Sequence, residues 1–256
     1  MQTVLGSNGQ IGQEVAKEIY RKYTKKIRLV GRRPKKIHPT DELISADLMD
    51  FEQTKTAIDG SDIVYFTVGL PMDSSLWEAN FLKIMENVIT ACKLYGSKLV
   101  FFDNTYMYPK DSEPQTENTP FIPEGRKSIV RAKMAEMVLS EIHNHELDAV
   151  ICRAPEFYGP DKTQSITNTM FLDKIKEDKT ASIPINSSCQ RSLIWTPDAS
   201  RAMVLIANTP SAYNQTWHLP CDKPYSYNEL KQIAEKVLNK KVKVRVIREW
   251  QFNLIK

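Results

Sequence analysis

The sequence is short of the residues that announce most simple function classes. Its four cysteines, Cys92, Cys152, Cys189 and Cys221, are scattered too widely to fit a metal-ligand spacing. Cys92 and Cys152 fall inside apolar helix or strand patterns and read as core thiols, which points to a reducing, cytoplasmic setting. Histidine is scarce too: His38, His143 and His145 lie in polar stretches, leaving His218, after Trp217, as the one to follow. No Ser-His-Asp triad and no metal set can be assembled from these pieces, so no metal is expected. No apolar run is long enough to span a membrane, and the first strand starts at Met1 with no room for a signal peptide. Internal repeats and low-complexity tracts are missing as well.

What is present is enough chain for one sizeable core. With 256 residues, 41% of them hydrophobic, one α/β domain with a smaller lobe is a better reading than two independent domains. Apolar runs alternate with helical periods in the order of a parallel sheet covered on both faces. Strands are expected at 3–5, 27–30, 43–46, 62–68, 98–102 and 149–152. Helices are expected from about residue 10 and at 51–58, 75–95 and 126–144. The stretch from Pro109 to Gly125 carries four prolines and reads as a long surface loop with a role of its own. Beyond residue 152 the pattern loosens. It gives a helix near 165–177, a strand at 192–195 and a helix at 197–208 with Pro197 in its first turn. A strand at 216–219, a helix at 225–238 opened by a Ser226–Glu229 capping box, and an exposed strand at 242–247 follow.

The most informative stretch is Val4-Leu5-Gly6-Ser7-Asn8-Gly9-Gln10-Ile11-Gly12. A short apolar strand runs into glycines spaced G-x-x-G-x-x-G, and an amphipathic helix with Ile11, Val15, Ile19 and Tyr20 on one stripe follows at once. Such glycines let the backbone turn tightly, approach a pyrophosphate closely and pack helix against strand. The helix start then offers free N–H groups and its positive dipole end to phosphates. Residues Gly6, Ser7, Asn8, Gly9, Gln10, Ile11 and Gly12 therefore read as the holder of a dinucleotide cofactor. Where an acid would bind the ribose 2′-hydroxyl of NAD, the second strand ends Val30-Gly31-Arg32-Arg33. Arg32 and Arg33 can pair with a 2′-phosphate, which favours NADP over NAD; the alternative is that both simply face solvent. The run from Arg21 to Lys36 is basic throughout and holds no acid. Solvated helix ends plus one cofactor phosphate explain it more simply than a nucleic-acid patch, so no nucleic-acid partner is expected.

The glycine spacing resembles that of the short-chain dehydrogenase/reductase superfamily, specifically its extended and atypical branches, the NAD-dependent epimerase/dehydratase family. The resemblance implies a Rossmann-type doubly wound parallel sheet in residues 1–153 plus 191–220, with a small C-terminal substrate lobe in residues 154–190 plus 221–256. It implies that Asp47, with Leu48, lies at the adenine, against the alternative that Asp47 caps the next helix. Thr67-Val68-Gly69 is similar to the small-residue turn on which the cofactor lies. Asn80 matches a family asparagine near the fifth strand, with an exposed asparagine as the alternative. Arg153-Ala154-Pro155-Glu156-Phe157-Tyr158-Gly159-Pro160 resembles the R-x-x-x-x-Y-G-P passage, where backbone and proline, here Pro155, close over the nicotinamide. Arg191 to Ala202 resembles R-x-x-x-x-V-x-D-x-A-x-A, whose arginine often contacts a substrate phosphate; Asp198 reads as a helix cap.

The catalytic pattern departs from that family. Phe102-Asp103-Asn104-Thr105-Tyr106-Met107-Tyr108 puts Asn104 where the family has Ser or Thr; Asn can bond a substrate oxygen but cannot relay a proton. The usual Tyr-x-x-x-Lys is missing from the next helix. Ser128 and Ala132 take its places if Glu136 anchors the comparison, and Ile129 and Lys133 if Lys133 does. Tyr106 and Tyr108 become candidate proton donors, with packing under the proline-rich loop the alternative for Tyr108. Arg131 and Lys133 either orient a ribose or an anionic substrate or are solvated helix charges. The candidate catalytic set is Asn104, Tyr106 and Lys133, with Arg191 for substrate. The chain also stops at Lys256, so the family's last helices over the substrate site are missing or the chain is naturally trimmed. Two function classes follow: an NADP-dependent reductase or epimerase-like enzyme acting on a small carbonyl or sugar-like molecule, and a non-catalytic NADP-binding redox sensor. In the family, the helices at 75–95 and 126–144 often pair across a homodimer.

Overall fold

The computed structural model of the chain describes residues 1–160 and 165–253. Residues 161–164 and 254–256, which the expected substrate lobe includes, lie outside the described residues. In chain order the first elements are β1 (Gln2–Leu5), α1 (Gln10–Lys22), β2 (Ile27–Gly31), β3 (Glu42–Ser45), α2 (Phe51–Ile58) and β4 (Ile63–Phe66). Then come α3 (Ser74–Tyr95), β5 (Lys98–Asp103), α4 (Arg126–His143), β6 (Ala149–Arg153) and β7 (Glu156–Tyr158). A π-helical turn (Thr167–Leu172) runs into α5 (Asp173–Lys176), followed by β8 (Ala181–Pro184), β9 (Leu193–Trp195) and α6 (Thr196–Ala207). The last are β10 (Gln215–His218), α7 (Tyr227–Leu238), β11 (Val244–Ile247) and α8 (Glu249–Asn253). The chain divides into two compact units, Met1–Ala154 with Pro197–Pro220, and Pro155–Thr196 with Cys221–Lys256.

The first unit is built on a seven-stranded sheet in the order β10-β6-β5-β4-β1-β2-β3, with every neighbouring pair parallel. This is a Rossmann-type doubly wound sheet. Its order reverses between β1 and β4, and in such sheets the ligand crevice opens there, at the C-terminal strand ends. Both strands are buried along their whole length because both faces are covered: Val4, Leu5, Val64, Tyr65 and Phe66 have no exposed surface, and the polar Gln2 and Thr3 at the start of β1 are buried too. Leu5 pairs with Val30 on one side and Phe66 on the other, so β1, β2 and β4 end level. Helix α1 buries the stripe Ile11, Val15, Ala16 and Ile19. Helices α2, α3 and α4 add Ala57, Phe81, Met85, Val88, Met134 and Val138 to one apolar cluster with β4 and β5. Asp73 caps α3 through the amides of Ser75 and Leu76, and Gly96, at φ +64°, ends the helix in the left-handed conformation that favours glycine.

The second unit holds two short parallel pairs, β7 with β9 and β8 with β11. Phe171, Ile175, Ala181, Ile183, Tyr227 and Val242 form its core. The capping box of α7 forms as the sequence indicates: Ser226 Oγ accepts from the Glu229 amide while the Glu229 carboxylate takes the Ser226 amide. That bond holds the Glu229 carboxyl down to about 2. Strands β7 and β8 are additions that the sequence pattern did not signal. Among the described residues no helix is long and apolar enough to cross a membrane. No group of three His, Cys, Asp or Glu side chains among them could hold a metal ion.

Candidate cofactor site and strand-end polar network

The glycine loop leaves β1 through Gly6, whose φ of +80° is open only to glycine without strain. A Cβ built on Gly6 would stand 2.8 Å from Val68 Cα and 2.9 Å from Thr67 O. One on Gly12 would stand 2.7 Å from Gly6 O and 2.9 Å from both Ser7 Cα and Thr67 Oγ1. Gly9 is less confined, with Gly6 O at 3.2 Å from the added atom. The loop is thus folded onto Thr67 and Val68 after β4, where Thr67 Oγ1 also donates to Leu5 O at 2.7 Å. Gly69, the third residue of that turn, is exposed with open space around it. Ser7 is buried and donates both its amide and its hydroxyl to Val30 O, so its side chain is committed to β2. Ile11 is buried against the sheet, and α1 starts at Gln10 with Gly9 as N-cap, no side-chain cap and no acid in its first turn. A glycine loop folded this closely onto the end of β4, ahead of helix amides without a side-chain cap, fits a dinucleotide pyrophosphate.

Just after β2, Arg32 and Arg33 are exposed, and neither side chain has a partner among the described residues. Asn8 bridges the glycine loop to the segment after β2, donating through Nδ2 to Arg33 O at 2.7 Å and accepting at Oδ1 from the Lys35 amide at 3.1 Å. The basic run is less uniform than its sequence suggests. Arg21 and Lys22 pair with Glu18, and Arg28 pairs with Glu42, acids from outside the run. Asp47 is exposed and accepts from the Met49 amide in a local turn. It does not cap α2; Asp50 does, accepting from the Gln53 amide, so that alternative for Asp47 is corrected. Leu48 is buried. Asn80 is half-buried on α3, whereas the buried asparagine of that helix is Asn87, which donates to the carbonyls of Leu48 and Met49. Asn87 was not among the expected site residues, although its place in an apolar helical stripe was a signal.

The C-terminal ends of β5, β6 and β10 carry a buried polar network that the sequence did not disclose. Asp103, fully buried at the end of β5, accepts from Arg131 Nε and NH2 at 3.0 and 2.6 Å and from Arg153 Nε at 3.0 Å. Arg131 is therefore a buried partner of Asp103, which corrects the reading of it as a solvated helix charge. Arg153 NH1 donates to the Tyr108 phenol, whose oxygen lies 2.7 Å from His218 Nε2. The His218 amide donates to the Glu117 carboxylate in the proline-rich loop at 2.9 Å. The tautomer of His218 sets the direction of that bond: the phenol donates to an unprotonated Nε2, or a protonated Nε2 donates to the phenol oxygen. Burial is the main force pushing His218 below its ordinary range, opposed by the Glu117 carboxylate and reinforced by the Arg153 cation. Burial likewise pushes the Tyr108 phenol up, with Arg153 opposing it. Tyr108 is both packed, against Phe121, and hydrogen-bonded.

Tyr106 stands differently. It is 43% exposed and stacks on Trp77 with ring centroids 6.3 Å apart. Asn104 Oδ1 accepts the Tyr106 amide at 3.0 Å. On α4, Ser128, Arg131, Ala132 and Ala135 lie on the buried face, while Ile129, Lys133 and Glu136 lie on the exposed one. The comparison anchored on Glu136 therefore puts the two dyad positions, Ser128 and Ala132, on the inner face. The one that keeps Lys133 puts them outside, so Lys133 points away from the strand ends. Ser128 Oγ donates to Tyr106 O at 2.6 Å. In the second unit, Pro155 is half-buried at the start of the segment, and Arg191 pairs with Glu156 while lying 5.6 Å over the Tyr227 ring.

Comparison with known proteins agrees with this architecture. The chain is 26% identical over 213 residues to an uncharacterized protein, y4nL, of Sinorhizobium fredii, and spans 57% of that protein's length. Its fold is similar to that of UDP-glucuronic acid 4-epimerase from Bacillus cereus, solved in complex with NAD. The TM-score is 0.85 and the identity 17%, over 97% of this chain and 87% of that one. It is also similar to UDP-N-acetylglucosamine 4-epimerase from Methanobrevibacter ruminantium, solved with UDP-N-acetylmuramic acid. There the TM-score is 0.83 and the identity 20%, over 97% and 85% of the two chains. Residues 2–219, from β1 through β10, match the model of one family. The chain belongs to the NAD dependent epimerase/dehydratase family.

Proposed function

We propose that the chain binds NADP(H) and acts as an epimerase-like or reductive enzyme on a small carbonyl or sugar-like substrate. The observation that supports this best is the glycine cradle, where Gly6 and Gly12 leave no room for a side chain against Thr67, Val68 and the loop backbone. In this reading Gly6 to Gly12 hold the pyrophosphate, Arg32 and Arg33 take the 2′-phosphate, and Asp47 and Leu48 border the adenine. The structural neighbours carry NAD by their descriptions. The two unpaired arginines at the end of β2 support NADP for this chain.

A bound nicotinamide would supply hydride chemistry at a substrate carbon, and the chain's own residues would have to move the accompanying proton. Tyr106, 43% exposed just beyond the end of β5, is the residue assigned to that task in this reading; Tyr108 is buried. Asn104, with Oδ1 occupied, keeps its Nδ2 hydrogens to hold the substrate oxygen. Arg191 would hold an anionic substrate group within its own unit. The neighbours are described as sugar-nucleotide epimerases, which makes sugar nucleotides the first class to assay.

A second reading, a non-catalytic NADP-binding redox sensor, is favoured by one observation: Ser128 and Ala132 hold the dyad positions, and the Ser128 hydroxyl is spent on Tyr106 O. Following NADPH absorbance against carbonyls and sugar nucleotides separates the two. Turnover by the wild type that drops ~100-fold or more in Tyr106→Phe, with NADPH affinity unchanged, is the expected result. An unchanged rate removes Tyr106 from the mechanism, and tight NADPH binding with no turnover on any substrate supports the sensor.

A further inference from the structure

Four consecutive carbonyls at the end of β2 are each held by a fixed donor. Val30 O accepts from the amides of Gly6 and Ser7 and from Ser7 Oγ, at 3.0, 3.2 and 3.2 Å. Gly31 O accepts from the Ala46 amide at 3.1 Å, and Arg32 O accepts from Ser45 Oγ at 2.9 Å. Arg33 O accepts from Asn8 Nδ2 at 2.7 Å, and Asn8 Oδ1 then accepts the Lys35 amide at 3.1 Å. The segment is thus tied on one side to the glycine loop and on the other to the end of β3. Pro34, with no N–H to satisfy, stiffens it further.

The side chains on this bound segment behave in the opposite way. Arg32, Arg33 and Lys35 are exposed and have no acidic partner among the described residues, whereas Arg21, Lys22 and Arg28 of the same basic run all do. Three unpaired cations projecting from an immobilised backbone lose less freedom on gripping a dianion than cations on a loose loop. The Asn8 side chain suits its task because an amide can donate to Arg33 O and accept from Lys35 N at once. A carboxylate lacks the donor.

We infer that Asn8 and Ser45 are positioning residues that set the discrimination between a ribose 2′-phosphate and a 2′-hydroxyl, and that Lys35 is a third cation of that subsite. The inference rests on the NADP reading above and adds the residues that make it selective. It is tested by calorimetric titration of NADPH, NADH, 2′,5′-ADP and 5′-ADP into the wild type and into Asn8→Ala, Ser45→Ala and Lys35→Gln. The expected result is a wild type that prefers NADPH, and variants that lose roughly fivefold for NADPH and 2′,5′-ADP while NADH and 5′-ADP stay within about twofold. Lys35→Gln should also flatten the salt dependence of NADPH binding. Equal weakening of both cofactors in Asn8→Ala, with NADPH preference intact in Ser45→Ala and Lys35→Gln, overturns the inference and leaves the NADP reading standing. A wild type that binds NADH as tightly as NADPH overturns both.

Discussion

Gly12→Ala separates steric from conformational demands in the glycine loop. Gly12 lies inside α1, so propensity alone favours alanine there by about 1 kcal/mol. The new Cβ, however, would stand 2.7 Å from Gly6 O and 2.9 Å from Ser7 Cα and Thr67 Oγ1. These lie far inside the ~3.5–4.0 Å of an unstrained contact. Gly6 and Ser7 are anchored through Val30 O and cannot move aside cheaply. Overpacking against atoms that cannot give lies at the upper end of the usual range, ~3 kcal/mol. The net loss is then about 2 kcal/mol, or a fall in Tm of roughly 4–8 °C for a chain of this size. Gly6→Ala meets equally close atoms, gains no helix propensity and adds ~1–2 kcal/mol for its positive φ, so it should be the worst of the three. Gly9→Ala meets only Gly6 O below 3.4 Å, at 3.2 Å, and should melt within a few degrees of the wild type. It should still weaken NADPH, because the second glycine serves close approach of the pyrophosphate. Thermal melts paired with NADPH titrations read out both effects. A Gly12→Ala protein that melts at or above the wild type, or a Gly9→Ala protein as damaged as Gly6→Ala, refutes the steric argument.

Three further outcomes follow from the structure. Asp103→Asn leaves Arg131 and Arg153 buried without their counter-charge and should cost about 3–5 kcal/mol in denaturant unfolding, whereas Arg131→Met, which leaves Asp103 its bond to Arg153, should cost clearly less. His218 is held below its ordinary value, so the folded chain resists protonation that the unfolded chain accepts. Its contribution to stability is full above about pH 6.5 and is lost as pH falls through the lowered folded value, and unfolding curves of His218→Gln should lack that upper portion of the loss. Ser226→Ala removes the α7 cap and should destabilise by ~1 kcal/mol, seen as earlier amide exchange in Tyr227–Leu238 rather than in the first unit.

The sheet of the first unit was legible because its inner strands β1, β4, β5 and β6 are buried almost throughout and its helices keep one apolar stripe, so period and run length signal most of them directly. In residues 155–190 the helix expected near 165–177 is present as the π-helical turn and α5, whereas the short strands β7 and β8 gave no signal in the sequence. At the cofactor loop, glycine spacing carried the message because the demand is local: a turn, a close approach, a helix start. The strand-end network was illegible for the converse reason. Asp103, Arg131 and Arg153 are 28 and 50 residues apart, and only the adjacency of β5, α4 and β6 brings them together. Charges ending apolar runs, Asp103 after Leu99–Phe102 in β5 and Arg153 after Ala149–Cys152 in β6, were the signal available. Helix α4 shows what structure adds to a sequence comparison. Two ways of placing the missing dyad fit the letters, and the division of the helix into a buried and an exposed face favours the one through Ser128 and Ala132.

The Asp103 bridge also constrains how this chain can change over generations. One carboxylate serves two guanidinium groups, and all three side chains are at least nine-tenths buried. Losing the acid strands two cations, and losing either arginine leaves the acid half-matched. Replacing all three together by apolar side chains of similar bulk would be close to neutral for stability. The intermediate steps are the barrier. The three positions are therefore expected to drift as one unit or not at all, and lineages that have escaped the triad should have lost every member of it.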